Sequence, residues 1–173
     1  MTINRCNLLH KCGFYQALAV LMVCLFSLST QAEAVRLSLT IDGNYFPNHT
    51  LYLALYRIET EHPMSWQDEP SLQKKLIMKE QEKGEYFLED IPPGRYAIKG
   101  YIDLNQNQVL DKTVKDRPKE PFGVSLGENK TKPSLNIQQS IFEVSTEKNS
   151  AVFVLRTPKA AYKLANTARP DAI

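Results

Sequence analysis

Cysteine is missing from most of this chain. The three cysteines, Cys6, Cys12 and Cys24, all precede residue 35. Residues 35–173 therefore contain no disulfide, no thiolate nucleophile and no cysteine ligand for a metal. A domain without these devices has to be stabilised by its hydrophobic core, and a chain of this length is large enough to bury one.

An excess of charge of one sign is also missing. The whole chain has 21 basic and 19 acidic residues, and Arg5, Lys11 and Glu33 lie before residue 35, which leaves 19 basic and 18 acidic residues after it. Such a balance produces no extended field of one sign. The sequence therefore predicts neither nucleic-acid binding nor electrostatic attachment to a membrane surface.

Long hydrophobic runs are limited to one segment near the start, residues 14–28. This run is shorter than the roughly 20 residues of a membrane-spanning helix, and it contains Gln16. Basic residues precede it, and Ala32 and Ala34 supply the small residues of a cleavage site. We interpret residues 1–34 as a signal peptide cleaved after Ala34, with a retained membrane anchor as the alternative. The protein is then periplasmic or secreted, with no stable membrane anchor after cleavage.

Catalytic signatures are scarce. Gly123, Ser125 and Gly127 satisfy the G-x-S-x-G pattern of a nucleophile elbow, which requires a strand–turn–helix context and a later histidine. The histidines after residue 35 are His49 and His62; both precede Ser125 and lie in predicted loops, with no third ligand at zinc spacing. A glycine turn is the favoured interpretation, and a small serine hydrolase at Ser125 is the alternative. We predict no catalytic residues and no enzymatic activity.

Helical periodicity is absent, whereas alternation of apolar and polar residues is frequent. In "VRLSLTID", residues 35–42, every second residue is apolar, as in a half-buried strand. The segment "TLYLALYRIE" is apolar on both faces, which favours a central strand. About seven such strands at hairpin spacing predict an all-β fold, a single antiparallel β-sandwich of immunoglobulin or transthyretin type over residues 35–156. Residues 157–173 are predicted to form a polar, flexible tail.

The alternation also predicts the core and its interruptions. Between residues 112 and 140 there are prolines and glycines but little periodicity, so a long loop or irregular crossover is expected there. The inward-facing positions of the predicted strands form the expected core: Leu37, Leu39, Leu53, Tyr86, Leu88, Tyr96, Ile98, Val152 and Val154.

The stretch "DLNQNQVLD", residues 103–111, has the spacing of a calcium loop. Its five predicted oxygen ligands are the side chains of Asp103, Asn105, Asn107 and Asp111 and the backbone carbonyl of Val109. Calcium takes six to eight oxygens, so weak binding is expected unless another acid completes the shell.

Two departures from an EF-hand loop lower the expected affinity further. The sixth position is Gln108 instead of glycine, and the twelfth is Val114 instead of glutamate. Glu120 and Asp116 are the candidates to add an oxygen. The alternative is a metal-free turn, because Asp and Asn readily hydrogen-bond their own backbone.

Two motifs resemble known families. The segment "GEYFLEDIPPGRYAIKGYID" resembles a strand–turn–strand unit of transthyretin-like and carboxypeptidase-regulatory-like sandwiches, with matches that include Tyr86, Pro92, Gly94 and Tyr96. The acidic loop and "PKEPFGVS" follow it, and residues 35–156 as a whole resemble the bacterial secreted family called domain of unknown function 2141. That resemblance implies a sandwich in the cell envelope and no established activity. Gln108 stands where the family usually has glycine, which weakens the metal interpretation.

Trp66 is the single tryptophan of the chain and lies in a predicted loop. It either packs back to cap one end of the fold or is exposed for recognition, since sugars stack on such rings. We therefore predict a non-enzymatic binding or structural module of the cell envelope, with a weak calcium loop. Its expected partner is an unknown envelope protein or glycan; the alternative is a carbohydrate- or peptide-binding module that uses the Trp66 loop.

Overall fold

The structure is a computed structural model that describes residues 33–43, 46–59, 64–79 and 84–161. They belong to the second of two compact units, Glu33–Ile173, whereas the first, Met1–Ala32, lies outside the described residues. His62, the predicted signal peptide up to residue 32 and the predicted tail from residue 162 also lie outside them. Within the described part of the chain, no helix is long and apolar enough to cross a membrane.

Eight strands, one short 3-10 helix, Ile137–Gln139, and the start of a helix at residues 159–161 make up the described fold. The strands are β1 (Val35–Asp42), β2 (Thr50–Arg57), β3 (Leu72–Ile77), β4 (Gly84–Ile91), β5 (Gly94–Asp103), β6 (Phe122–Ser125), β7 (Phe142–Val144) and β8 (Ser150–Arg156). The prediction of an all-β fold is confirmed.

The strands form one barrel-like sheet that nearly closes, instead of the predicted two-layer antiparallel sandwich. Its order is β3-β2-β5-β6-β8-β1-β4, with β7 added beside β5. Strand β5 explains the continuity: it pairs with β2 along one edge and with both β6 and β7 along the other. The pairing of β1 with β8 is parallel, which the sequence analysis did not anticipate.

The two edge strands of this sheet are joined through side chains. Lys74 Nζ of β3 donates a hydrogen bond to the Glu89 carbonyl of β4 at 2.7 Å. The backbone N–H of Lys79, just after β3, donates to the Tyr86 hydroxyl at 2.8 Å. These two bonds connect β3 to β4 where the backbone ladder is missing.

The main core fills the interior of the sheet, and it confirms seven of the nine predicted core residues. The exceptions are Val152 and Val154 of β8, which are half-buried, whereas Ala151, Phe153 and Leu155 are buried. Strand β8 is apolar on both faces, so its alternation is ambiguous. Its parallel pairing with β1 sets Ala151 beside Leu39 and Phe153 beside Ile41, and paired residues share a face.

The segment 112–140 is more ordered than the predicted loop. It contains β6 and the 3-10 helix, which is capped by the Asn136 side chain; this side chain accepts a hydrogen bond from Gln138 N at 3.0 Å. Ile137 packs on the outer face of β2 and β5 in a second, smaller cluster with Tyr56, Ile58, Ala97 and Ile141. Both faces of the β2–β5 pair are therefore covered, at least in part.

Residues 157–161 continue from β8 and return to the fold. Ala161 is fully buried in the main core. The Thr157 hydroxyl is buried without a hydrogen-bond partner.

Candidate functional site

The acidic loop, residues 103–111, begins where β5 ends. Asp103 is only 2% exposed, and its carboxylate accepts hydrogen bonds from Asn107 N at 3.2 Å and Gln108 N at 2.8 Å. Asn105 Oδ1 accepts from Asn107 N at 3.3 Å, and Asn107 Oδ1 accepts from Val109 N at 2.9 Å. A short polar side chain at every second residue therefore builds a series of tight turns, in which backbone N–H groups donate to side chains two to five residues earlier.

Glu120 holds both ends of the acidic loop. It is fully buried, and its two oxygens accept hydrogen bonds from Leu104 N at 2.8 Å and Asp111 N at 3.0 Å. Burial raises the pKa of the Glu120 carboxyl; the two backbone hydrogen bonds oppose this, and the negative charges of Asp103 and Asp111 add to it. The structure thus brings to the loop one of the two acids that the sequence analysis named as additional ligands.

The five predicted metal ligands differ in burial and partners. Asp111 is half-buried and accepts a hydrogen bond from Asn105 Nδ2 at 2.7 Å, whereas Val109 is 62% exposed. Asp116, the other additional candidate, is exposed and pairs with Lys112 at 2.9 Å. Among the described residues, His, Cys, Asp and Glu side chains nowhere gather in a group of three or more able to hold a metal. Asparagine and carbonyl oxygens would have to supply much of the coordination.

The acidic loop is anchored to the outer face of the sheet. Gln106 and Gln108 both adopt left-handed φ angles, 63° and 64°. This conformation turns the Gln108 carbonyl so that it accepts a hydrogen bond from the Tyr101 hydroxyl at 2.7 Å. Burial, followed by electrostatic interaction with Asp103, Tyr52 and Glu120, raises the pKa of Tyr101 to about 12. Tyr101 therefore stays a neutral hydrogen-bond donor at physiological pH.

A groove of about 630 Å³ lies on that outer face, between the acidic loop and the Trp66 loop. We call it the outer-face groove. Strands β2, β3, β5 and β6 all contribute to its lining. The Trp66 loop, the acidic loop after β5 and Leu135 beyond β6 complete it. The lining residues used below are Tyr52, Ala54, Tyr56, Trp66, Gln73, Lys74, Lys75, Lys99, Tyr101, Gln108 and Leu135.

Trp66 packs against the fold and keeps part of its surface exposed. Its ring packs edge-on against Tyr56, with centroids 5.3 Å apart and an interplanar angle of 85°. Its indole Nε1 donates a hydrogen bond to the Leu135 carbonyl at 2.7 Å. The side chain is half-buried, so it packs on the smaller cluster and also contributes surface to the outer-face groove.

Aromatic rings and cations alternate across the groove. Tyr52 and Tyr101 stack with centroids 5.3 Å apart and planes 12° apart. Lys75 Nζ lies 5.0 Å from the Tyr52 ring centroid, and Lys99 Nζ lies 5.1 Å from that of Tyr56. Lys99 Nζ also donates a hydrogen bond to the Trp66 carbonyl. Such a surface provides flat apolar faces and hydrogen-bond donors side by side.

Ser125 lies inside the fold instead of on a nucleophile elbow. It is fully buried in β6; its hydroxyl donates to the Ser140 carbonyl at 2.7 Å and accepts from Ile98 N at 2.9 Å. Cβ atoms added at Gly123 and Gly127 would lie 2.3 Å from the Val154 carbonyl and 2.2 Å from the Gln139 carbonyl. Close packing therefore explains the two glycines, and the buried serine joins β5 to the segment after the 3-10 helix.

Sequence reasoning found Trp66 but missed the other groove residues. Tyr52, Lys99 and Tyr101 lie on the outward positions of β2 and β5. The available signal is the apolar character of both faces of β2, which indicates a central strand and also leaves apolar side chains on its outer face. The remaining histidine in the described residues, His49, contacts the Pro47 carbonyl through Nδ1 at 2.9 Å and does not line the groove.

Comparison with known proteins gives one family match. A family model described as "Uncharacterized protein conserved in bacteria (DUF2141)" matches residues 40–152, well over half of the chain. This range includes β2 to β7, the acidic loop and every residue that lines the outer-face groove. No curated protein and no solved structure matches the chain.

Proposed function

We propose that this chain, which belongs to the bacterial DUF2141 family, is a non-enzymatic binding module that takes its ligand in the outer-face groove. The groove itself carries this proposal. A cavity of about 630 Å³ is in the usual size range for a ligand site, and flat aromatic faces with a few polar groups are its usual lining. Tyr52, Tyr56, Trp66 and Tyr101 supply those faces.

The cell envelope is the proposed location. The leader pattern of residues 1–34 and the confinement of cysteine to that segment support export to the periplasm or beyond. There the partner is an envelope glycan or an envelope protein. A rigid sheet with a lined groove suits stable binding, because little conformational entropy is lost when a preformed surface is covered.

Trp66 is a built-in reporter for this function. Since the chain has one tryptophan and it lines the groove, a ligand that enters the groove should change its fluorescence. The purified protein is titrated with glycan and peptide fractions from a bacterial envelope while Trp66 emission is recorded. We expect one fraction to produce a saturable change in emission.

A variant with a filled groove is the control for that titration. Ala54 lies on the groove floor, and Ala54→Phe would occupy the space without removing a core side chain. The saturable change should disappear in this variant while its circular dichroism is unchanged. Saturation by a fraction that the Ala54→Phe variant binds equally well, or by no fraction at all, would contradict the groove as the binding site.

We also propose that the acidic loop binds calcium weakly. Carboxylate, amide and carbonyl oxygens are the ligands that calcium prefers, and Asp103, Asn105, Asn107, Val109 and Asp111 offer them within one loop. The negative charges of Asp103 and Asp111 help to raise the pKa of Glu120, so a cation at the loop would relieve repulsion between carboxylates. Calcium bound there would supply positive charge that holds the loop together, and the residues themselves shape the loop through its backbone N–H groups.

A further inference from the structure

We propose that the outer-face groove recognises a carboxylated sugar, such as a uronic acid within a glycan, through Lys99 and Lys75. This inference rests on the proposed function and names the ligand class of the same groove. The described residues that line the groove include no aspartate or glutamate, and two of its lysines, Lys75 and Lys99, hold their Nζ atoms over groove rings, whereas Lys74 Nζ donates to the Glu89 carbonyl of β4. In a chain whose basic and acidic residues nearly balance, that lining is strongly one-sided.

Lys99 is the central cation of this arrangement. It is half-buried, and its Nζ has the Trp66 carbonyl and the Tyr56 ring as partners. The ion pairs among the described residues are Arg36–Glu89, Lys112–Asp116 and Lys148 with Glu128 and Glu143, so neither Lys99 nor Lys75 has a carboxylate partner there. A carbonyl and a ring compensate only part of the cost of removing a cation from water, so a ligand carboxylate would find an incompletely satisfied partner.

The rest of the lining favours a sugar over an acidic peptide. Gln73 and Gln108 carry amides, which donate and accept hydrogen bonds as sugar hydroxyls require. The floor is the face of paired strands: β2 already pairs with β3 and β5, and β5 pairs with β2 and β6. Neither β2 nor β5 has a free edge, so a peptide could not add to them as a further strand, and the free edge of β3 faces β4, to which Lys74 connects it. Rings and amides remain as the recognition elements.

Four probes distinguish recognition of the ligand's carboxylate from recognition of its sugar rings and from binding of a peptide. They are a galacturonate oligosaccharide, the same oligosaccharide as its methyl ester, a neutral cello-oligosaccharide and a poly-glutamate peptide. Binding is measured by calorimetry, with Trp66 emission as the second readout. We expect the galacturonate to bind at least tenfold more tightly than its ester, a difference of about 1.4 kcal/mol. The affinity should fall as the salt concentration rises, since exposed charges are screened.

Single-charge variants identify the cations. Lys99→Gln and Lys75→Gln should each weaken galacturonate binding about tenfold and leave the affinity for the ester unchanged. Lys75 is exposed, so its variant tests the charge without risk to the fold. Lys130→Gln is the matched control, because Lys130 is an exposed lysine that does not line the groove. The Lys130→Gln variant should bind the galacturonate with the same affinity as the original protein.

The possible outcomes separate this inference from the proposed function. Equal affinity for the acid and its ester, lost in Ala54→Phe, would overturn the charge recognition and leave the groove as a binding site. Tighter binding of poly-glutamate than of galacturonate, again lost in Ala54→Phe, would overturn the choice of a sugar. If none of the four probes binds, the inference falls, and the envelope-fraction titration still decides the proposed function separately.

Discussion

Single polar side chains with buried partners join distant parts of this chain. Glu120 accepts hydrogen bonds from Leu104 N and Asp111 N, and Ser125 joins Ile98 N to the Ser140 carbonyl. Each of these side chains is fully buried. A buried backbone group without a partner costs about 1–3 kcal/mol, so such residues are constrained by structure even where they have no chemical role.

Tyr96 gives a test of one such contact. It is buried, its hydroxyl donates to the Pro92 carbonyl at 2.8 Å, and burial raises its pKa above 10.0, with Arg57 acting in the opposite direction. At neutral pH, Tyr96→Phe should lower the free energy of unfolding by about 0.5–1.5 kcal/mol, the usual worth of one hydrogen bond. Urea unfolding monitored by circular dichroism measures the difference.

The same pair of proteins should show a pH dependence with a defined sign. Above pH 10 the unfolded chain loses the Tyr96 proton while the folded chain keeps it, so Tyr96 contributes less stability as pH rises through the window above 10.0. Phenylalanine does not titrate. The stability gap between the original protein and Tyr96→Phe should therefore narrow as pH rises from 9 through 10 and beyond. A gap that stays constant or widens would contradict the raised pKa.

At the scale of elements, glycine allows β5 and β6 to pack closely against one ring of β8. Gly123 of β6 pairs with Gly100 of β5 and with Leu155 of β8. Cβ atoms added at the two glycines would lie 2.9 Å and 3.2 Å from the nearest atoms of the Phe153 ring. The missing side chains thus leave room for a buried phenylalanine.

Gly123→Ala should destabilise the protein by about 1–3 kcal/mol, the usual cost of overpacking a core. The added Cβ would also lie 2.3 Å from the backbone oxygen of Val154, which cannot move away as a flexible side chain would. The urea midpoint is the measurement. Ser150→Ala, at the exposed start of β8, is the control and should stay within about 0.5 kcal/mol. Equal midpoints for the two variants would show that the strands can separate at no cost.

The acidic loop carries the calcium prediction. If it binds calcium with the affinity typical of extracellular modules, about 10⁻⁴ to 10⁻³ M, then a calcium concentration a hundredfold above the dissociation constant should add about 2.7 kcal/mol of stability. A tenfold excess should add about half of that. Thermal unfolding in chelator and in excess calcium measures the increment.

The control for calcium binding removes both charged loop ligands. The double variant Asp103→Ala with Asp111→Ala should lose the increment, although it will also be less stable without metal because Asp103 caps Asn107 and Gln108. The comparison is therefore made within each protein, with and without calcium. Equal melting temperatures for the original protein under the two conditions would leave the loop as a turn stabilised by its own side chains.

At the scale of the whole molecule, the described sheet starts at the predicted cleavage point. Strand β1 begins at Val35, which is buried against the core, and it pairs with β4 and β8. We predict that the exported protein starts at Val35. Intact mass of the protein recovered from the cell envelope measures this, and a mass that still includes residues 1–34 would contradict it.

The sequence predicted correctly those features that are encoded in neighbouring residues, and it failed where pairing between distant strands decides. Strand β1 was correctly predicted from the alternation in residues 35–42, and Leu37, Leu53 and Ile98 were correctly predicted as core. Strand β6 was missed, because its four residues include Gly123 and lie among prolines and glycines. The core face of β8 was predicted one residue out of register, because both faces are apolar and pairing with β1 decides between them.

The two candidate sites, the acidic loop and the outer-face groove, also differ in whether neighbouring residues encode them. The polar spacing of residues 103–111 is contained in nine consecutive residues, so the loop could be identified without a structure. The outer-face groove brings Tyr52, Trp66, Lys99 and Leu135 together from separate elements. No pattern in the sequence links those positions, and the interpretation of Trp66 had to stay open.

The sequence by itself determined the all-β character, most strand positions and the acidic loop, because alternation of period two and turn chemistry act between near neighbours. Tertiary structure alone decided that the sheet nearly closes, which face of β8 is buried, that Glu120 reaches the acidic loop, and that Lys75 and Lys99 share one groove. Each of these depends on pairing between residues far apart in the chain, such as Leu39 with Ala151. The physical reason is that long-range register follows from packing all strands at once, which no local stretch encodes.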